Sequence, residues 1–119
     1  MKKLTEGHTY ELENFENKDV KGQVLQFIHK EQQLKDISEL EPHEVLIPSE
    51  NNFKLVTVAD GTTNEDVLEV LIDRMNYLQS KFPCRENAIV ITNLETALMW
   101  LEKRTKDRIK RNVEGKNIK

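Results

Sequence analysis

The spacing of apolar positions changes near residue 60. Before that point, Gly22-Gln23-Val24-Leu25-Gln26-Phe27-Ile28-His29 and Phe53-Lys54-Leu55-Val56-Thr57-Val58 are short runs rich in β-branched and aromatic residues, and each predicts a strand. Val45-Leu46-Ile47 predicts a third, followed by a turn at Pro48-Ser49-Glu50-Asn51-Asn52. The segment from Tyr10 to Phe15 reads either as a strand or as a covering segment. Together these runs predict a small antiparallel sheet.

After Asp60-Gly61 the period becomes helical. Thr62 followed by Glu65 has the spacing of a capping box, in which each side chain satisfies a backbone N–H at the helix start. Leu68, Leu71, Met75, Leu78 and Phe82 then recur at intervals of three and four, which puts them on one helical face. Pro83 stops this helix and can also occupy the first turn of the next. The second helix has its own seam in Ile91, Leu94, Leu98 and Leu101. Two matched seams with a very short connection predict an antiparallel hairpin. The expected fold class is therefore α+β: an N-terminal antiparallel β-sheet followed by a two-helix hairpin. It is expected as a single domain over 1–119, with a β-rich part at 1–60, the hairpin at 61–112 and a tail at 113–119.

The second helix is expected to outrun the first by roughly 13 Å, given about 1.5 Å of rise per residue. Its overhanging end is basic. A second apolar stripe of Ile89, Ala97 and Trp100 also lacks a surface within the hairpin. The sheet can cover the basic end and an identical subunit can do so equally, but the second stripe favours a homo-oligomer assembled through the helices.

Composition narrows the function. The net charge of -3 argues against long nucleic acids, which require a broadly basic face. Residues 102–111, Glu-Lys-Arg-Thr-Lys-Asp-Arg-Ile-Lys-Arg, nevertheless concentrate cations, and a local cationic patch suits a small anion. No apolar run approaches the roughly 20 residues that span a bilayer, and the first residues lack the apolar stretch of a signal peptide, so a cytoplasmic protein with no membrane partner is expected. The single cysteine, Cys84, has no intrachain disulfide partner and reads as a small, inert residue. His8, His29 and His43 are far apart in sequence, with neither metal-ligand spacing nor a nucleophile and base pair. No metal, cofactor or catalytic residue is expected.

One line of residues is distinctive. Asn93, Ala97, Trp100, Arg104, Arg108 and Arg111 fall at intervals of four and three along one face of the second helix. Most charges nearby have partners four residues away: Glu102 with Lys106, Lys103 with Asp107, and Asp107 with Arg111. Arg104 and Arg108 instead sit four apart as like charges. Guanidinium groups grip phosphate oxygens in a bidentate fork, so the row suits a pyrophosphate or a phosphodiester ring. Cations at a helix C-terminus also simply complement its dipole. Phe82, at the hairpin tip, can stack on a base or cap the core, and Trp100 can serve the core or an interface. Asn93 can read an adenine edge, face water or bond across an interface.

Three blocks carry a family likeness: Asp60-Gly61-Thr62-Thr63-Asn64-Glu65, Phe82-Pro83-Cys84-Arg85-Glu86-Asn87, and Ile91 through Leu101 with Arg104 to Arg108 and Arg111 to Gly115. Over roughly residues 53 to 115 the chain resembles the phage Thoeris anti-defence sponges, which share a helical hairpin with the phage anti-CBASS sponges. The resemblance implies a protein that sequesters glycocyclic ADP-ribose, the signal made by TIR-domain enzymes, and releases it intact on unfolding. It further implies dimers or larger oligomers in the infected bacterial cytoplasm, with cyclic di- or trinucleotides as a further ligand class. By motif it assigns Phe82 to base stacking, Asn93 to base reading, and Arg104, Arg108 and Arg111 to phosphate binding. Two rival functions stand beside it. An enzyme that hydrolyses such a nucleotide requires a metal cluster or a poised acid and base. A hairpin that inhibits a host protein directly would be favoured by an exposed apolar stripe without the arginine row, and the row weighs against it.

Overall fold

The computed structural model describes residues 1–35 and 53–111. The predicted strand at Val45-Leu46-Ile47, the turn at residues 48–52, His43 and the tail at 113–119 lie outside the described residues. The chain divides into two compact units, Met1–Gly61 and Thr62–Lys119.

Among the described residues the strands of the first unit pair antiparallel, in two sheets where one was expected. In the three-stranded sheet, β1 (Lys2–Thr5) pairs with β2 (Thr9–Glu11), and β2 pairs with β3 (Val24–Gln26). The turn joining β1 and β2 passes through Gly7 at φ 78°, a left-handed conformation in which a side chain is strained. Leu12 N–H donates to the Gln23 carbonyl at 2.8 Å, and at the next residue a Cβ on Gly22 would collide with the Leu12 carbonyl oxygen. The Gly22–His29 run is thus no single strand: β3 ends at Gln26, and His29 opens β4. The two-stranded sheet pairs β4 (His29–Leu34) with β5 (Phe53–Ala59), in a register that sets Glu31 opposite Val56 and shifts between His29 and Lys30.

Side chains also link the elements of this unit. The Tyr10 and Phe27 rings meet edge to face at 5.9 Å, an arrangement their quadrupoles favour. The His8 ring stacks on His29 with centroids 3.6 Å apart, and His29 Nε2 lies 3.0 Å from Glu31 Oε1. His8 and His29 are therefore not isolated, as their sequence separation suggested. The strand pairing closes that separation, since Phe27 N–H donates to the His8 carbonyl at 2.8 Å.

The second unit contains the predicted helices. α1 spans Asn64–Lys81 and α2 spans Arg85–Lys110, or 18 and 26 residues. The N-cap of α1 is Thr63 rather than Thr62: Asp66 N–H donates to Thr63 Oγ1 at 3.2 Å. Thr62 turns instead to the Asp66 carboxylate. Pro83 stays in the connection and Cys84 caps α2, its Sγ accepting from Asn87 N–H at 3.4 Å. Gln79 locks the corner from both sides, because Nε2 donates to the Cys84 carbonyl and Oε1 accepts from Cys84 N–H, each at 3.0 Å.

The seam between the helices consists of half-buried residues. On α2 it runs Asn87, Ile91, Leu94, Leu98, Leu101, Thr105 and Arg108, at strict four-three spacing. On α1 the facing residues include Leu68, Ile72, Met75 and Leu78. Leu71 and Phe82 were expected on that seam, but they are exposed, because the stripe turns toward Ile72 after Leu68. Among the described residues, no apolar side chain is fully buried within a single chain.

Candidate functional site

Phe82 stands at the corner as the C-cap of α1, its N–H donating to the Leu78 carbonyl at 2.9 Å, while its ring is 79% exposed. A ring so placed contributes little to a core. Its face is available to a flat ligand.

One turn into α2, Arg85, Ala88, Ile89, Thr92 and Asn93 line a shallow groove of about 250 Å³. Asn93 is exposed and is one of the residues that line this groove. Arg85 was not singled out among the sequence-based site residues, yet its position carried a signal: a cation in the first turn of a helix opposes the macrodipole, which favours acids there. Arg85 and Asn93 line one groove, and a guanidinium and an amide together can bind an anionic, base-bearing molecule through charge and hydrogen bonds. Ile89, 42% exposed, supplies apolar contact.

At the far end of α2, Arg104 and Arg111 are exposed, whereas Arg108 is half-buried where the seam continues past α1. Trp100, on the same stripe, is 60% exposed. Of the charge pairs expected around them, Lys103 meets Asp107 at 2.9 Å. Glu102 and Lys106 form no ion pair among the described residues, and neither do Asp107 and Arg111.

The five residues assigned by motif do not meet within one chain. From Arg85, beside the tip, to Arg108 the helix rises roughly 35 Å at about 1.5 Å per residue. No single nucleotide spans that distance. The tip and the basic end can act on one ligand only where a second copy brings its arginines beside the tip, as two antiparallel α2 helices would.

A second groove, of about 440 Å³, opens on the hairpin between α1 and α2 and is lined by Glu69, Asp73, Glu95 and Glu102 over Ile72, Leu98 and Met99. Its sign repels phosphate. Among the described residues, no group of three or more His, Cys, Asp or Glu side chains is placed to hold a metal ion. No described helix is long and apolar enough to cross a membrane.

The family model for the Acb2/Tad1 hairpin domain matches residues 46–106, which include both helices up to the basic end of α2. The chain belongs to the Acb2/Tad1 hairpin family. It is also similar to the Thoeris anti-defense 1 protein of Bacillus phage SBSphiJ7, with 52% identity over 73 residues, covering 57% of this chain and 51% of that protein. The chain therefore corresponds to about half the length of this relative. The hairpin-family match takes in Phe82, Asn93 and Arg104, while Arg108 and Arg111 lie just beyond its end.

Proposed function

We propose that this protein sequesters a cyclic nucleotide immune messenger, glycocyclic ADP-ribose first and cyclic di- or trinucleotides as a further class, and holds it without cleavage. In this role it blocks Thoeris anti-phage signalling in the cytoplasm of the infected cell. The observation that carries the proposal is the polarity of α2, with an exposed aromatic and an amide groove at one end and exposed arginines at the other. Membership of the hairpin family and likeness to a Thoeris anti-defence protein support it.

The physical scheme is a homo-oligomer in which antiparallel α2 helices form a composite groove. Phe82 stacks on a base, Asn93 reads its edge, and Arg104, Arg108 and Arg111 of the second copy hold the phosphates. Exposed Ile89 and Trp100 then acquire a covering surface. A sponge acts stoichiometrically and needs nanomolar affinity, about 12 kcal/mol of binding free energy. Charge-assisted arginine contacts, a base stack and burial of the ligand supply this without a catalytic group.

The test is to incubate the full chain with glycocyclic ADP-ribose, remove free ligand, denature by heat and analyse the released material by mass spectrometry. Intact messenger is expected. Cleaved messenger identifies an enzyme, and no messenger identifies a hairpin that binds a host protein directly. Sedimentation of the same sample should show at least a dimer, and a monomer of 14.0 kDa would remove the composite groove.

A further inference from the structure

We propose that the groove at the start of α2 is a half-site for a single nucleotide, complete within one chain, in which Arg85 holds the phosphate and Thr92 and Asn93 meet the nucleoside. The inference rests on the preceding reading in taking Asn93 as the base reader, and it adds a phosphate ligand on the same chain. Arg85, Ala88, Ile89, Thr92 and Asn93 line this groove of about 250 Å³, and all five are exposed. Ala88, Ile89 and Thr92 follow Arg85 by three, four and seven positions, which keeps them on one helical face. That face lies on the opposite side of α2 from the seam residues Asn87, Ile91 and Leu94.

The charge of Arg85 is not answered within its helix. A cation in the first turn opposes the macrodipole. The positions three and four residues on, where a carboxylate would compensate it, hold Ala88 and Ile89. The other charged residue of that turn, Glu86, is rotated about 100° round the helix axis. Among the described residues, Arg85 and Asn93 each make neither a hydrogen bond nor an ion pair through their side chains. A free guanidinium and a free amide therefore share one groove, with the apolar Ala88 and Ile89 between them.

The length of the groove suits one nucleotide. From Arg85 to Asn93 the helix rises roughly 12 Å at about 1.5 Å per residue, a gap that one nucleotide and an arginine side chain together can bridge. An amide meets an adenine edge with a paired donor and acceptor. A guanidinium grips two phosphate oxygens at once, and the Thr92 hydroxyl can donate to or accept from a sugar hydroxyl. A nucleoside without phosphate leaves the guanidinium unused. The groove thus selects for phosphate at the hairpin tip itself, before any arginine of a second copy takes part.

Calorimetry of the full chain with adenosine monophosphate and with adenosine tests the half-site. The parent chain should bind the monophosphate at least about tenfold more tightly than adenosine, the worth of one charged contact. Arg85→Gln should abolish that preference with helix content and melting temperature unchanged. Arg85→Lys should keep part of it, since an ammonium retains the charge without the fork. Arg104→Gln should keep all of it, which separates this phosphate contact from those assigned to the second copy. Equal affinity for the two probes in the parent chain, an undiminished preference in Arg85→Gln, or a preference lost in Arg104→Gln overturns the half-site. Failure of the sponge reading gives a different result: a chain that captures no glycocyclic ADP-ribose, yet prefers the monophosphate through Arg85, refutes the sponge and sustains the half-site. Messenger captured by a chain that does not distinguish the two probes refutes the half-site alone.

Discussion

The two long stripes of α2 differ in how their charges are ordered. Asn93, Trp100, Arg104, Arg108 and Arg111 run from polar and aromatic to uniformly cationic, whereas Glu95, Glu102, Lys106 and Lys110 run from acid to base. The uniformly cationic end of the first stripe suits an anionic ligand. The second stripe carries both signs, so its two ends do not share that preference.

The largest expected effect comes from reversing charge on the ligand stripe alone. Arg104→Glu and Arg111→Glu should each reduce capture by at least about 3 kcal/mol, since a charged hydrogen bond worth about 1.5–3 kcal/mol is replaced by repulsion. Both side chains are exposed, so melting temperature should stay as in the parent chain. Arg108→Glu should abolish capture too, but with a lower melting temperature, because Arg108 is half-buried on the seam. Titration calorimetry with glycocyclic ADP-ribose decides the matter: undiminished affinity in all three variants would remove the phosphate-binding role.

Phe82→Ala sharpens the comparison at the other end of the same stripe. Affinity should fall by about 1–3 kcal/mol, the range for loss of one base stack. Stability should change little, because the ring is 79% exposed. A large drop in melting temperature with normal affinity would return Phe82 to a structural role.

Gln79→Ala acts on the frame that carries both stripes. Loss of its two bonds to Cys84 should cost about 1–3 kcal/mol of stability, at about 0.5–1.5 kcal/mol per hydrogen bond. Ligand capture should weaken along with stability in binding and chemical denaturation assays, whereas lost capture at the parent chain's stability would show that the corner serves the site specifically. Smallest of all, Thr63→Ala removes the α1 cap and should cost about 1 kcal/mol. Because the cap is remote from the arginines, affinity measured well below the melting transition should be unaltered.

The hairpin was legible because its information is local. Intervals of three and four around Leu94, Leu98 and Leu101, a threonine cap and Pro83 each act within a turn or two, and the errors were correspondingly small: a cap displaced from Thr62 to Thr63, and a stripe that turns from Leu71 to Ile72. The β unit was less legible. β1 (Lys2–Thr5) and β4 (His29–Leu34) are largely polar strands stabilised by backbone pairing to partners elsewhere in the chain, so their side chains announce little. The split at His29 and the stacking of His8 on His29 depend on that pairing, which no periodicity encodes.

For the site, the sequence by itself determined which residues share a helical face, because rotation per residue in an α-helix is constant. It therefore placed Arg104, Arg108 and Arg111 in one row and Phe82 at the corner. Only the tertiary structure decided what each face meets. It showed that Phe82 is open and Arg108 partly covered, that Arg85 and Asn93 border a common groove, and that Glu102 leaves Lys106 for a groove shared with α1. Those outcomes depend on how far α2 outruns α1 and how the seam rolls between them, which are properties of two packed helices and not of either alone.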